Sequence, residues 1–374
     1  MKKLAVIGAS YLQLPLVKKA REMGIQTHCF AWEEGAVCRD VADYYYPIST
    51  REKESILQQC QEIGIDGITT IASDTATITV NYVASHLGLI SNPDEFSEIC
   101  TNKYKMRLCF LENDIPSPKF RLVDKNNNYS ITGIRFPLII KPSDRSGSLG
   151  VKKISSLSQL DEAIRRAANV SFCHEVIIEE FVAGREISVE AISFQGQHYV
   201  LQITDKVTTG APYYVEIEHH QPSTLSAEIQ KKIRLLVPKA LDALHVQNGA
   251  SHSELIITPE ADIRFIEIGA RMGGDFIGSH LVQLSTGYDF LQGVIEVALG
   301  KFSEPSFPQC KYSGVYFLCK ETEWLESVIK NSERYPEIVE AEITEKVLRR
   351  VECSDDRSGF AIYQANKKLE LWKK

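Results

Sequence analysis

SHSELIITPEADIRFIEIGARMGG, residues 251–274, is the stretch whose reading decides this chain. SELIIT and IRFIEI read as paired strands, and Pro259-Glu260-Ala261-Asp262 between them has the length and chemistry of a hairpin turn. Such a hairpin sets Glu254 and Glu267 side by side on one face, with Arg271 following in a Gly-rich tail. Two carboxylates beside an arginine offer hard oxygen ligands for Mg²⁺ and a planar fork for a phosphate. Phosphoryl chemistry is the first expectation. The competing reading is a pair of solvated acids near strand ends, so the upstream sequence has to decide.

Upstream, Phe136–Pro142 is an apolar strand ending in Lys141, and it runs into the Ser/Gly-rich Ser143–Val151. A lysine at a strand end neutralises phosphate oxygens. A loop containing Ser146, Gly147 and Ser148 can fold over them and offer unobstructed backbone N–H groups. The P-loop pattern GxxxxGK[ST] is absent, and standing alone this segment reads equally as a turn. Next comes VIIEEFVAGREISVE, residues 176–190: a strand, two acids, a Gly turn and a further strand. Backbone exposed there can bond an adenine edge, and a carboxylate a few residues on can take ribose hydroxyls. By itself it is only a hairpin with acids.

Residues 1 to about 95 alternate strands and helices: LAVIGA, Leu14–Met23, THCFAW, Arg51–Ile63, Gly67–Ala72 and Ala76–Leu87. This rhythm implies a parallel sheet covered on both faces. Gly8-Ala9-Ser10 lacks GxGxxG and Pro15 stands in the expected helix opening, which disfavours a dinucleotide site. A helix is expected from about Asp94 to Asn113, then short strands from Phe120 with a helix at Ser158–Asn169. A long helix at Ala227–Leu244 precedes the acidic hairpin, and another at Tyr288–Leu299 follows it. Beyond Pro305 and Pro308 a smaller unit carries strands at Ser313–Cys319 and Gly359–Gln364.

A chain of 374 residues implies two or three domains, since one core stops growing at roughly 250–300 residues. Net charge is −7 without a basic block, so nucleic acid is not an expected partner. No apolar run reaches the ~20 residues of a membrane span. The apolar run after Lys3 breaks at Gly8 and reads as a buried strand, not a signal sequence. The nine scattered cysteines, with no CxxC, fit reduced thiols and a cytoplasmic location.

The order of these segments over roughly residues 1–305 resembles the ATP-grasp superfamily. The resemblance implies an α/β N-terminal doubly wound parallel-sheet (pre-ATP-grasp) domain over 1–95. An ATP-grasp two-lobed α+β domain is implied over 96–305, its first lobe to about 175 and its second from about 176. A small C-terminal β-containing α+β unit covers 306–374. It implies ATP phosphate contacts from Lys103 and Lys141, with the flap Ser146, Gly147 and Ser148 above them. It implies an adenine hinge at Glu179, Glu180, Phe181 and Val182, a ribose carboxylate at Glu186 and metal carboxylates at Glu254 and Glu267. Arg271 and Lys141 would serve the transferred phosphoryl group. The implied cofactors are ATP and Mg²⁺, with Mn²⁺ as a substitute.

One departure matters. The family tail is Glu-x-Asn-x-Arg, but Gly269 stands in Glu267-Ile268-Gly269-Ala270-Arg271 and offers no side-chain oxygen. Water or Glu267 alone would fill that role, or a second metal would bind more weakly.

Thr208–Glu216 and His219-His220-Gln221-Pro222 look most like carboxylate–amine ligases: amino-acid ligases, phosphoribosylglycinamide synthetases and the carbamoyl-phosphate synthase large subunit. The expected reaction forms an amide or peptide bond through an acyl phosphate, releasing ADP and phosphate. Small-molecule carboxylates and amines would be the partners, and a homodimer is allowed. The alternatives are an ATP-grasp-like protein with weak or no turnover, favoured by Gly269, and an ATP-dependent carboxylase of the purine-pathway type. Candidate substrate contacts are Lys206, His219, His252 and Arg271, with Lys206 and His219 flanking a loop to the acceptor pocket. Adjacent strand residues face opposite ways, so of His219 and His220 one is expected towards substrate and one towards solvent. His252 shares a strand face with Glu254 and reads equally as a structural histidine.

Overall fold

The computed structural model describes residues 1–371 apart from 125, 127, 146, 148 and 212. The chain starts as β1 (Lys3–Ile7), α1 (Leu14–Glu22), β2 (Gln26–Phe30), β3 (Tyr44–Tyr46), α2 (Lys53–Ile63), β4 (Gly67–Thr69) and α3 (Asp74–Leu87). The strands form a parallel sheet in the order β3-β2-β1-β4. β1 is apolar throughout because both of its faces are covered. Leu4 and Val6 pack with Leu16 and Val17 of α1, and Ala5 and Ile7 pack with Ile56 of α2 and Val83 of α3. Pro15 lies in the first turn of α1, where its missing N–H costs no hydrogen bond.

The single helix expected over about 94–113 is replaced by a short 3₁₀ turn at Asp94–Phe96 and α4 (Lys103–Glu112). The Asn102 side chain starts α4 afresh by accepting from the N–H groups of Tyr104 and Lys105, both at 3.0 Å. Then come β5 (Phe120–Val123), β6 (Leu138–Pro142), β7 (Lys152–Ile154), α5 (Leu160–Val170) and β8 (Val176–Glu180). The four strands form an antiparallel sheet, β5-β8-β6-β7. α5 covers it with Leu160, Ala163, Ile164 and Ala167, one helical stripe.

The remainder is β9 (Arg185–Phe194), β10 (Gln197–Thr208), β11 (Glu216–Gln221), α6 (Ala227–Ala243), β12 (Gly249–Ile257), β13 (Ile263–Gly269), α7 (Val282–Thr286), α8 (Phe290–Ala298), β14 (Tyr312–Leu318), α9 (Leu325–Lys330), β15 (Ile338–Ile343) and β16 (Gly359–Ala365). Its strands make one eight-stranded sheet, β13-β12-β9-β10-β11-β14-β16-β15. The strands after residue 306 therefore extend this sheet through the β11–β14 pair. α8 reaches back to the first sheet, where Val294 and Ile295 join the cluster of Leu4, Val6 and Leu16. The parallel sheet and the large antiparallel sheet are thereby packed together, with the small sheet of β5–β8 beside the same cleft.

Candidate active site

A cleft of about 440 Å³ lies between these parts, lined from the N-terminal loops, both antiparallel sheets and the segment before β16. The hairpin expected from the sequence forms, and Glu254 and Glu267 are direct partners across β12 and β13. Their side chains keep 33% and 23% exposure on otherwise buried strands, so both open into the cleft. Lys206 Nζ lies 2.9 Å from Glu254 Oε1 and 3.0 Å from Glu216 Oε1. Burial alone would raise the pKa of Glu254, but Lys206 and then His252 hold it well below the usual carboxylate range. Burial would lower that of Lys206, but Glu254 and Glu216 hold it well above the ordinary value. His252 sits between Glu190, in close contact at Nδ1, and Glu254 Oε1 at 3.4 Å. Burial pulls its pKa down, yet the Glu190 charge raises it to about 9, so it is an imidazolium at neutral pH.

Among the described residues, the polar contacts on Glu254 and Glu267 all fall on Oε1. No group of three or more His, Cys, Asp or Glu side chains is placed among them to hold a metal by itself. Two adjacent carboxylates fit Mg²⁺, which takes one or two protein carboxylates and completes its shell with phosphate oxygens and water.

The two lysines enter from different elements. Lys103, first residue of α4, donates its backbone N–H to the Ser143 carbonyl at 2.7 Å. Its Nζ donates to the Arg145 carbonyl at 2.6 Å and to Glu267 Oε1 at 2.8 Å. The stem of the loop after β6 is thus tied to Glu267. Lys141 lies 2.7 Å from Glu179 Oε2, and Arg107 Nε lies 2.7 Å from Glu179 Oε1. The Glu179 side chain is only 3% exposed and is committed to these two cations, which leaves its backbone for any contact made by the hinge. Burial opposes its charge, but Arg107 and Lys141 keep it ionised. Arg107 also donates to the Ile266 carbonyl at 2.6 Å, joining β8 to β13.

Glu180, Phe181, Val182 and Glu186 line the same cleft, with Ile139 and Ile266 as apolar walls. Glu180 accepts from the Arg135 N–H at 3.0 Å. Burial raises the pKa of Glu186 to about 7, helped by Glu216 and Glu254 and opposed by Lys206. Gly147 lines the cleft with φ of 65°, a left-handed conformation that favours glycine. Ser146 and Ser148 lie outside the described residues.

Arg271 is held by a residue the sequence reading missed. Its Nε lies 2.8 Å from Asp74 Oδ1, and its NH2 donates to Asp74 Oδ2 at 2.9 Å. Asp74 heads α3, so the N-terminal domain aims the arginine. This pair also explains Gly269: a Cβ there would lie 2.6 Å from Asp74 Oδ1 and 3.0 Å from Arg271 Cζ. The room an asparagine needs is occupied by an ion pair.

One expectation for the substrate residues needs correction. Lys206 and His219 are cross-strand partners on β10 and β11 and flank the connection after Thr208 as expected. Lys206 is the counter-charge of Glu254. His220 does not face solvent; it is fully buried and bonds Tyr363 Oη at 2.9 Å and Glu218 Oε2 at 2.8 Å. The strand alternation is right, but on that face the Tyr316 and Tyr363 side chains of the neighbouring strands pack around the ring. His219 does line the cleft, 1% exposed, edge-on to Phe317 and 3.6 Å from Asp275. Burial lowers its pKa. Asp275 accepts two bonds from Arg357, at 2.8 and 2.6 Å. The sequence reading missed both. The one available signal was the Gly-Gly pair leading into Asp275, a residue with positive φ of 52°.

Three comparisons bear on this geometry. A profile for the ATP-grasp domain matches residues 134–279. The chain is 26% identical over 272 residues to alanine–anticapsin ligase of Bacillus subtilis strain 168, covering 63% of this chain and 57% of that protein. It therefore spans a little over half the length of that curated relative. The fold is that of an L-amino acid ligase from Bacillus licheniformis, with a TM-score of 0.82 and 22% identity over 98% of this chain and 94% of the other. An ADP complex of N5-carboxyaminoimidazole synthetase from Staphylococcus aureus shares it too, with a TM-score of 0.79 and 16% identity over 98% and 94%.

Proposed function

Since this chain carries an ATP-grasp domain, we propose that it is an ATP-dependent carboxylate–amine ligase. The observation that carries this reading is the convergence of Lys103, Lys141, Glu254, Glu267 and Arg271 on one cleft from three separate stretches of chain. A relative of this chain joins alanine to anticapsin and a structural neighbour joins L-amino acids, which supports an amino acid among the substrates.

The adenine lies between Ile139, Val182 and Ile266, and Glu186 takes the ribose. Lys103 and Lys141 face the phosphates, their positions set by Glu267 with the Arg145 carbonyl and by Glu179. Glu254 and Glu267 would hold Mg²⁺, which would offset phosphate charge. The carboxylate oxygen of the first substrate attacks the γ-phosphorus. The bond to the β–γ bridging oxygen breaks and ADP leaves. Arg271 stabilises charge on the transferring group, so catalysis is mostly positioning and electrostatics. The amine nitrogen then attacks the acyl carbon, the C–O bond to phosphate breaks, and the amine loses a proton.

Gly269 makes room for the Asp74–Arg271 pair, so the glycine alone does not argue for a protein without turnover. The test is phosphate release with Mg·ATP over pairs of carboxylates and amines, amino acids first. ATP hydrolysis without coupling to any pair, or no binding of Mg·ATP, would count against the proposal.

A further inference from the structure

Behind the metal end of the cleft lies a second cavity of about 280 Å³. It shares Asp74, Lys103, Arg145 and Glu267 with the main cleft, so these four side chains stand between the two. Its outer wall is Arg51, Lys53 and Phe172. Phe172 is 49% exposed, and two guanidiniums approach its ring: Arg51 Cζ at 4.4 Å and Arg145 Cζ at 4.0 Å from the centroid. Arg51 comes from the N-terminal domain and Arg145 from the loop after β6. Lys53 rests on the Tyr82 ring at 4.2 Å.

The charges around this cavity are unevenly spent. Two of its three carboxylates are ion-paired, Asp74 with Arg271 and Glu267 with Lys103, while Asp144 accepts only from the Cys173 N–H at 2.8 Å and keeps its charge. Among the described residues, Arg51, Lys53 and Arg145 have no carboxylate within ion-pair distance, although acids line the same walls. Stacking on aromatic rings leaves the edges of the guanidiniums free to donate. Three uncommitted cations around a small cavity make an anion site, and its inner end opens beside Lys103 and Glu267.

We propose that this cavity binds a phosphate dianion on Arg51, Lys53 and Arg145, and that it is the way out for orthophosphate formed in turnover. The inference rests on the ligase reading. After reaction, ADP fills the hinge side of the main cleft, while orthophosphate is left at the Lys103–Glu267 end. The rear cavity lies on the other side of the Lys103–Glu267 pair and opens on a basic surface. The same chemistry would hold a phosphate carried by a substrate, and the experiment separates the two.

The probe is inorganic phosphate, titrated by calorimetry into wild type and the Arg51→Gln/Lys53→Gln double variant, each saturated with Mg·ADP. Saturable binding is expected in wild type, weakened at least about tenfold in the double variant with ADP affinity unchanged, since charge-assisted bonds to two cations are lost. Unchanged ADP affinity also shows that the variant is folded. Equal phosphate binding by both proteins, or none in wild type with ADP bound, overturns the proposal while leaving the ligase reading intact. Failure of wild type to bind ADP overturns both. In single turnover, a phosphate sensor should show release slowed in the variant with formation of the amide bond unchanged. If release is unaffected and only the KM of a phosphorylated carboxylate or amine rises, the cavity is a substrate phosphate site and the exit route is refuted.

Discussion

Glu179→Gln should destabilise the protein strongly. Glu179 is 3% exposed, with Arg107 and Lys141 each 2.7 Å from its two oxygens. Both cations are themselves nearly buried, at 0% and 6% side-chain exposure. Removing the charge between them leaves one uncompensated buried cation or forces Lys141 to shed its proton. Breaking a buried pair in this way costs about 3–5 kcal/mol. At about 2–4 °C per kcal/mol for a unit of this size, the first thermal transition should fall by roughly 10 °C. Arg107→Met should couple to Glu179→Gln in a double-mutant cycle, by roughly 1–3 kcal/mol. The assay is a melting curve with and without Mg·ATP, plus calorimetric titration of ATP and GTP. Binding of ATP should weaken more than that of adenosine, because Lys141 loses its orientation. If Glu179→Gln melts within about 2 °C of wild type and only the preference between ATP and GTP changes, Glu179 reads the base and the triad argument is wrong.

Glu254→Gln and Glu267→Gln should each cut kcat by about 10²-fold or more, since each removes charge that holds Mg²⁺ on the phosphates; near-normal turnover in Glu267→Gln would make the hairpin acids structural. Arg271→Ala should lower turnover with every carboxylate, whereas His219→Ala should change the preferred carboxylate or amine through KM, and uniform loss in both would break the distinction. Gly269→Asn should destabilise by about 1–3 kcal/mol through collision with Asp74 and Arg271, seen as a lower urea midpoint. His252 stabilises the fold through a raised pKa, so its contribution is complete below 6.5 and is lost as pH rises through about 9. Urea midpoints should fall across that window in wild type, and His252→Gln should flatten the fall.

The parts of the site legible in the sequence are those fixed by local pattern. The hairpin carrying Glu254 and Glu267 could be read from alternation and a turn, and Lys141 from an apolar run ending in a charge. Residues that act across the fold left no local trace. Asp74 opens an ordinary helix, and nothing near it announces a partner at Arg271. Arg107 looks like a surface residue of a helix until the two sheets close over it. For Glu179, periodicity says which face the residue takes, but not that Arg107 and Lys141 wait on that face. His220 shows the same limit: its face was right, but the strands that bury it come from residues 312–318 and 359–365.

The order of those last strands has a consequence during synthesis. β16 inserts between β14 and β15, both made before it. Until it emerges from the ribosome, β14 presents a bare hydrogen-bonding edge rich in Val, Tyr and Phe, the kind of edge that recruits other chains. Arg357 arrives just ahead of β16, so the Asp275 side of the cleft also waits for this strand. Nascent chains stalled anywhere between β14 and β16 should need a holding chaperone, although β14 already ends at residue 318 of 374.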